Sequence, residues 1–159
     1  MTGKEQLVRE VVALIVELQD ATQAVDEAAA DYLGVNLTDL RCLRLVLQDA
    51  ATTATDLANA TGLTRPAITF AIDRLEKAGL AVRTPDPTDR RRILVEPTQP
   101  ARREVASLWG PIESEGARAL SRFPANELGV LADFLRKATK LQDVHALRIR
   151  GESARKAAG

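Results

Sequence analysis

The chain has 159 residues, of which 45% are hydrophobic, and its 22 Lys and Arg residues balance 22 Asp and Glu residues, so the formal net charge is zero. We expect a globular, soluble protein of one domain, with or without additional helices, and with a sizeable core. No apolar run reaches the roughly 18 residues that a bilayer span needs, and the start MTGKEQLVRE lacks the order of a signal peptide. A cytoplasmic location without membrane contact is therefore expected.

The zero net charge conceals two segments of opposite sign. Residues 1–33 carry 2 basic and 7 acidic residues, whereas residues 81–103 carry 6 arginines and 3 acidic residues. An arginine cluster can bind a polyanion whatever charge the rest of the surface carries. The charge pattern by itself is equally compatible with a solvated charged face.

The first predicted element is a helix of about seven turns that ends at Gly34. Its apolar residues recur at alternating spacings of 4 and 3, which is the pattern of a helical seam: Leu7, Val11, Leu14, Leu18, Ala21, Val25, Ala28 and Tyr32. Because one helix cannot bury such a stripe against itself, we expect it to pack against other long helices of the same chain or of a partner.

Two short helices are predicted next. Thr38 is the expected N-cap of the first, whose apolar face carries Leu40, Leu43 and Leu47. Thr53, with Asp56 three residues later, resembles a capping box that opens the second, which stops near Gly62.

A third short helix is expected to begin after Thr64 as its N-cap. Pro66 is tolerated in the first turn because the early amides have no intrahelical acceptor. Gly79 supplies the stop, and the buried stripe consists of Ile68, Ala71, Ile72 and Leu75.

The segments LAVRT and RILVE then predict two short strands joined by PDPTDRR, with the prolines confined to the turn. From Thr98 the pattern is helical again. One predicted helix is interrupted or kinked at Gly110-Pro111, and its apolar residues are Leu108, Ile112, Ala119 and Phe123. The last predicted helix carries Leu128, Leu131, Leu135, Ala138 and Leu141.

This order of elements is that of a winged helix-turn-helix, whose third helix can enter a DNA major groove. The predicted fold is mainly α with a small two- to three-stranded β wing, flanked by long helices. Arginines at the tip of the wing would reach phosphates or the neighbouring minor groove, where negative potential attracts Arg.

The string GLTRPAITFAIDRLEKAGLAVRTPDPTDRRRILVEPT closely resembles the MarR family of bacterial transcription regulators. The match is dense between Leu37 and Thr98 and most specific where DRLEKAGL is followed by DPTDRR. The resemblance implies an obligate homodimer that is built from N- and C-terminal helices and binds pseudo-palindromic double-stranded DNA. In this family the DNA is often released when a small ligand or an oxidant binds.

On this basis one intertwined domain is expected in four segments. Residues 1–34 form an N-terminal dimerisation helix, 35–98 the winged helix-turn-helix DNA-binding lobe, 99–150 the C-terminal dimerisation helices, and 151–159 a flexible tail. Pro100 stands where the family often carries Gly, and Gly110-Pro111 is also a departure from its pattern, so both affect the expected link to the dimerisation helices.

The resemblance places the start of the reading helix at Thr64 and the family's wing motif on Asp89, Arg90 and Arg91, with Arg91 at the usual minor-groove position. The role of Arg92 stays open. The reading-helix face opposite the apolar stripe carries Arg65 for a guanine edge and Thr69 for a base edge or a phosphate. The predicted DNA-binding residues are Thr64, Arg65, Pro66, Thr69, Phe70, Arg90 and Arg91.

Three further side chains of the reading helix have alternative interpretations. For Phe70, contact with a thymine methyl group and packing against the wing are equally favoured. For Asp73 and Arg74, an ion pair within the lobe is favoured over DNA contact.

A ligand pocket, if present, is expected where the dimerisation helices meet the DNA-binding lobe. Tyr32, Arg41 and Trp109 are its candidate lining residues, although ordinary packing or surface roles are at least as well supported. The habit of the family favours an aromatic or phenolic inducer.

Cys42 is the single cysteine, so an intrachain disulfide and a cysteine-ligated metal centre are excluded. Inert packing is favoured for it, and a cysteine-based redox sensor of the same family is an alternative. His145 has no ligand cluster around it in sequence, and no metal or cofactor is predicted.

The motifs of nucleotide-binding loops and of nucleophile elbows are absent from the sequence, so an enzyme is not expected. The favoured interpretation is a ligand-responsive repressor. A winged helix used for protein contact is the alternative from another class, and salt-sensitive binding to duplex DNA would distinguish the two.

Overall fold

The computed structural model describes residues 3–49 and 52–157. They form six helices and three strands. In chain order these are α1 (Gly3–Leu33), α2 (Leu37–Gln48), β1 (Thr52–Thr53), α3 (Ala54–Thr61), α4 (Arg65–Lys77), β2 (Ala81–Pro85), β3 (Ile93–Pro97), α5 (Gln99–Leu120) and α6 (Ala125–Ala157). The predicted architecture, mainly α with a small β wing, is confirmed.

The three strands form one antiparallel sheet in the order β1-β3-β2. Val95 of β3 lies opposite Thr52 of β1 on one side and opposite Arg83 of β2 on the other. The central strand β3 is therefore held on both sides, whereas β2 is an edge strand. The wing is the hairpin of β2 and β3 with the loop between them.

The chain divides into two compact units, one up to Trp109 and one from Gly110. The core of the first unit lies where α2, α3, α4 and the sheet meet. The predicted stripe of α4 is buried there, with Ile68, Ala71, Ile72 and Leu75 at most 1% exposed. The end of α1 contributes Ala29, Ala30 and Leu33 to the same core. Val46, and not Leu47, completes the buried face of α2 with Leu40 and Leu43.

Local capping explains where the short helices begin and end. Thr53 and Asp56 form the predicted capping box at the start of α3, and α3 ends at Gly62 in the left-handed conformation, with φ of 71°. Thr64 caps α4 as predicted. The predicted cap of α2 is wrong. Its N-cap is Asn36, whose Oδ1 accepts from the Asp39 amide at 2.9 Å, because the helix begins two residues earlier than Thr38 would require.

Proline positions also differ from the prediction in part. Pro85 is the last residue of β2 and not a turn residue. An edge strand tolerates proline because the backbone amides on its outer side have no neighbouring strand to bond to. Pro100 lies in the first turn of α5, where a backbone nitrogen has no hydrogen-bond acceptor within the helix. Helix α5 is continuous through Pro111, so the predicted interruption at Gly110-Pro111 is wrong, whereas the alternative of a kink there stays a prediction.

The second unit contains the C-terminal part of α5 and the 33-residue helix α6. The segment expected as a tail is helical as far as Ala157, and residues 158–159 lie outside the described residues. Helix-favouring Arg, Glu, Lys and Ala residues dominate it, and an ion pair between Arg148 and Glu152 at 2.7 Å spans its start.

Both long terminal helices expose apolar side chains. In α1 these include Leu7, Val11, Leu14 and Leu18, each at least 45% exposed. In α6 they include Val130, Leu135, Leu141, Val144 and Leu147, each at least 50% exposed. None of the helices in the described residues is long and apolar enough to cross a membrane.

Candidate nucleic-acid interface

Helix α4, which is the predicted reading helix, presents a polar side because its apolar stripe is turned into the lobe. Thr64, Arg65, Pro66 and Thr69 are all exposed. The Thr64 hydroxyl accepts from the Ala67 amide at 3.4 Å, and the Thr69 hydroxyl donates to the Arg65 carbonyl oxygen at 3.1 Å. The Arg65 guanidinium forms no hydrogen bond or ion pair with the described part of the chain. This end of α4 is thus a helix N-terminus with a free cation beside it.

Phe70 is an exposed residue of α4. Its side chain is 63% exposed and lines a groove of about 980 Å³. The other lining residues of this groove belong to α1, α2, α4 and the segments next to them, such as Asp31, Leu37 and Leu63. The residues that line this groove with Phe70 come from outside the wing, and both interpretations of Phe70 stay predictions.

The wing loop is organised by one buried carboxylate. Asp86 is 6% exposed, and its Oδ1 accepts from the Thr88 amide at 2.8 Å, the Thr88 hydroxyl at 2.7 Å and the Asp89 amide at 3.2 Å. The Asp86 amide donates to the Arg92 carbonyl oxygen across the base of the loop. The hydrogen bonds from Thr88 hold the pKa of Asp86 below its ordinary value.

The four arginines of the wing fall into two pairs with different surroundings. Arg83 contacts two carboxylates of α4, and Arg92 Nη1 lies 3.5 Å from Asp86 Oδ2. The guanidinium groups of Arg90 and Arg91 are exposed and have no partner among residues 3–49 and 52–157. The Arg91 amide donates to Asp89 Oδ1 at 3.0 Å, which shapes the loop from which these two side chains project.

The ion pairs of α4 join it to other elements of the lobe. Asp73 and Arg74 both form ion pairs within the lobe, as expected, but not with each other: Asp73 pairs with Arg83 and Arg74 with Asp39. Neither Asp39 nor Arg83 was predicted from the sequence as a partner of these residues. Two acidic residues of α4 spaced by three, Asp73 and Glu76, were a signal that a cation packs beside that helix face.

The candidate ligand residues are not brought together. Arg41 lines a groove of about 700 Å³ between α1 and α2, and its Nη2 donates to the Ala60 carbonyl oxygen at 3.4 Å. Tyr32 is 66% exposed and Trp109 is half-buried, and neither lines this groove. Arg44, which was not among the predicted ligand residues, also lines this groove, and its guanidinium lies 5.8 Å from the centre of the Trp109 ring.

Cys42 is fully buried in α2. Burial raises the pKa of its thiol, and the charge of Asp39 acts in the same direction. Because the thiolate is the form that oxidants attack, burial and the raised pKa disfavour oxidation of Cys42. Within the described ranges, no group of three or more His, Cys, Asp or Glu side chains is arranged to hold a metal ion.

A helix-turn-helix followed by a hairpin with free arginines at its tip defines a protein of the winged helix-turn-helix class. The MarR family model matches residues 35–93, which make up most of this lobe, so the chain carries a MarR family domain there. The family resemblance found in the sequence is confirmed.

Relatives extend the match over most of the chain. The chain is 29% identical over 148 residues to the uncharacterized HTH-type transcriptional regulator YcgE of Bacillus subtilis (strain 168), which covers 93% of this chain and 96% of that protein. The family and such relatives are transcriptional regulators and not enzymes.

Solved structures show the same fold. A MarR family protein from Bacillus stearothermophilus superposes with a TM-score of 0.65 at 20% identity, over 90% of this chain and 99% of that one. CouR from Rhodococcus jostii RHA1, bound to p-coumaroyl-CoA, gives a TM-score of 0.59 at 25% identity, over 81% of this chain and 91% of that one.

Proposed function

We propose that the protein is a homodimeric repressor that binds a specific pseudo-palindromic site in double-stranded DNA. The observation that carries the proposal is the contrast among the wing arginines. Arg83 and Arg92 are held by carboxylates, whereas Arg90 and Arg91 at the tip are exposed without a partner. Arginines left free at the tip of a wing are available for phosphates or the minor groove.

The exposed side of α4 supplies the base contacts in this proposal. Arg65 pairs with a guanine edge and Thr69 with a base edge or a phosphate. Thr64 and Pro66 lie at the helix N-terminus, where free amides favour a phosphate. Phe70, which is exposed on the same helix, is proposed to contact a thymine methyl group.

The homodimer is supported by the apolar surfaces of the terminal helices. Leu7, Val11, Leu14 and Leu18 continue one side of α1 into solvent, and α6 exposes a comparable set. Monomers rarely expose contiguous apolar surface on this scale, so a second copy is the proposed partner. Two copies would present reading helices to major grooves about 34 Å apart. Leu14→Glu is expected to give a monomer in sedimentation, whereas an unchanged dimer would contradict this interface.

A small aromatic or phenolic ligand is proposed for the groove between α1 and α2. Leu18, Leu37, Leu40 and Leu45 supply apolar walls, and Arg41 supplies a cation. The solved complex of CouR with p-coumaroyl-CoA shows that a related fold binds a ligand with an aromatic group. Release of DNA requires that the ligand bind the DNA-incompetent state more tightly. A panel of such compounds should include one that lowers DNA affinity in the wild type and not in Leu37→Trp, because Leu37 is 43% exposed and a larger side chain there would fill the groove without entering the core.

The proposed function is tested by selecting fragmented genomic DNA from the source organism on the purified protein, with Arg91→Ala in parallel. Enrichment of an inverted repeat that weakens with the variant supports the proposal. Failure of a folded dimer to enrich any sequence would contradict it and favour a winged helix used for protein contact.

A further inference from the structure

Arg83 of β2 joins the wing to the reading helix. Its Nη2 lies 2.7 Å from Asp73 Oδ1, and its Nη1 donates to Glu76 Oε2. Nη2 also lies 3.5 Å from the Thr69 carbonyl oxygen. Asp73 and Glu76 are one turn apart on α4, so one guanidinium spans both carboxylates. We call Arg83, Asp73 and Glu76 the wing anchor.

The backbone of β2 takes part in the same contact. The Arg83 amide donates to Glu76 Oε1 at 2.9 Å. Because β2 is the edge strand, this amide would otherwise be an unpaired donor at the edge of the sheet. Glu76 therefore fixes the strand by its backbone and its side chain together.

The wing anchor lies between two differently constrained parts of the hairpin. Toward the sheet, β3 is held by β1 and by the burial of Leu94 and Val95. Toward the tip, Arg90 and Arg91 are exposed. The anchor is itself partly exposed, with the Arg83 side chain 32% accessible, so its contribution to global stability is expected to be small.

The anchor also neutralises charge on the helix that is proposed to enter DNA. Asp73 is 51% exposed, and a free carboxylate there would repel phosphates. Arg83 in turn has its guanidinium occupied by two carboxylates and a carbonyl group, which leaves it poorly placed to contact DNA.

We propose that Arg83 is a positioning residue for DNA binding: through Asp73 and Glu76 it sets the position of Arg90 and Arg91 relative to Arg65 and Thr69, so that wing and helix engage one DNA site together. This inference rests on the proposed DNA-binding function. A wing without the anchor would have to be ordered during binding, which lowers affinity.

A double-mutant cycle tests the proposal with Arg83→Gln, Arg91→Ala and the double variant, on the inverted repeat selected by the wild type. Arg83→Gln is expected to lower affinity about tenfold. Arg91→Ala is expected to lower the DNA affinity about tenfold in the wild type but about threefold or less in the Arg83→Gln background. In that background the wing is already misplaced, so Arg91 contributes less to binding. Strictly additive effects would overturn the proposal.

A second variant separates positioning from direct contact. Asp73→Asn/Glu76→Gln frees the Arg83 guanidinium and removes two negative charges. If Arg83 contacted DNA itself, this variant would keep or improve its preference for the inverted repeat over a scrambled sequence. Positioning predicts that the preference falls about tenfold even if affinity for scrambled DNA rises. Arg136→Gln breaks the exposed pair with Asp133 in α6 and is the matched control for loss of one paired arginine.

Hydrogen exchange without DNA distinguishes failure of this inference from failure of the proposed function. In Arg83→Gln, amides of residues 82–95 are expected to exchange faster while those of α2 are unchanged. Unchanged hydrogen exchange of the wing amides would show that Arg83 does not hold the wing and would overturn the proposal. Faster exchange in a protein that selects no DNA would support the wing anchor as a contact that holds the wing. It would also disprove the DNA-binding function, and with it the role of Arg83 in DNA binding.

Discussion

The carboxylate of Asp39 in α2 accepts two hydrogen bonds from the guanidinium of Arg74 in α4, one from Nη2 to Oδ1 at 2.6 Å and one from Nε to Oδ2 at 2.8 Å. Asp39 is 1% exposed, whereas the side chain of Arg74 is 47% exposed. The hydrogen bond to Asp39 raises the pKa of Arg74. The pair connects the first and third helices of the DNA-binding lobe, α2 and α4.

Arg74→Met is expected to destabilise the lobe by about 2 kcal/mol, because it leaves a buried carboxylate without its partner while keeping the apolar stem of the side chain. Urea unfolding measures the change. Arg136→Met removes an exposed pair with Asp133 and should cost less than about 0.5 kcal/mol. Equal losses of unfolding free energy in the two variants would show that the contact of Arg74 with Asp39 stabilises the protein no more than an exposed ion pair does.

Arg91→Ala is expected to weaken binding to the inverted repeat by about 1–3 kcal/mol if its side chain reads a base. If it contacts only phosphate, the loss should be similar for all DNA sequences, and the salt slope should fall by about 1 per contact. Arg92→Ala is the matched comparison, since Arg92 pairs with Asp86 and should contribute less directly. Titrations of each variant with DNA at several salt concentrations would distinguish a base contact from a phosphate contact. Equal losses of affinity in Arg91→Ala and Arg92→Ala would contradict the distinction between a free and a paired arginine.

Thr88→Val is expected to raise the pKa of Asp86, since the Thr88 hydroxyl donates to that carboxylate. A folded pKa below the unfolded value, about 3.9, means that the Asp86 contacts favour the folded wing above about pH 4. Their contribution is lost as the pH falls through the lower folded pKa. Carbon-detected NMR titration of the Asp86 carboxyl would measure the shift, and identical titrations of variant and wild type would refute the role of the hydroxyl.

Mild peroxide treatment is expected to leave DNA affinity unchanged, because the Cys42 thiol is buried and its pKa is raised. Thiol alkylation of the native protein should be slow and should become fast only after unfolding. A loss of DNA binding that a reducing agent reverses, and that Cys42→Ala abolishes, would instead support the redox-sensor alternative.

Features that depend on neighbours within one or two turns could be predicted from the sequence. The stripe from Ile68 to Leu75 and the capping box of Thr53 follow from spacings of three and four residues, and the stop at Gly62 follows from the ease with which glycine adopts a positive φ. The cap of α2 was misjudged because Asn36 and Thr38 are both good cap residues and lie two positions apart. Which of them caps the helix depends on where the chain leaves Gly34.

The sequence by itself determined the order of the helices and of the two wing strands, the resemblance to the MarR family, and the presence of four arginines on the wing, because these depend on local pattern and composition. The short strand β1 was not located from the sequence. Only the tertiary structure decided which of those arginines are free. The pairing of Arg74 with Asp39 joins residues 35 positions apart, and Arg83 reaches Asp73 from another element. With 22 basic and 22 acidic residues in the chain, charge alone allows many such pairs, and packing selects among them by distance and burial.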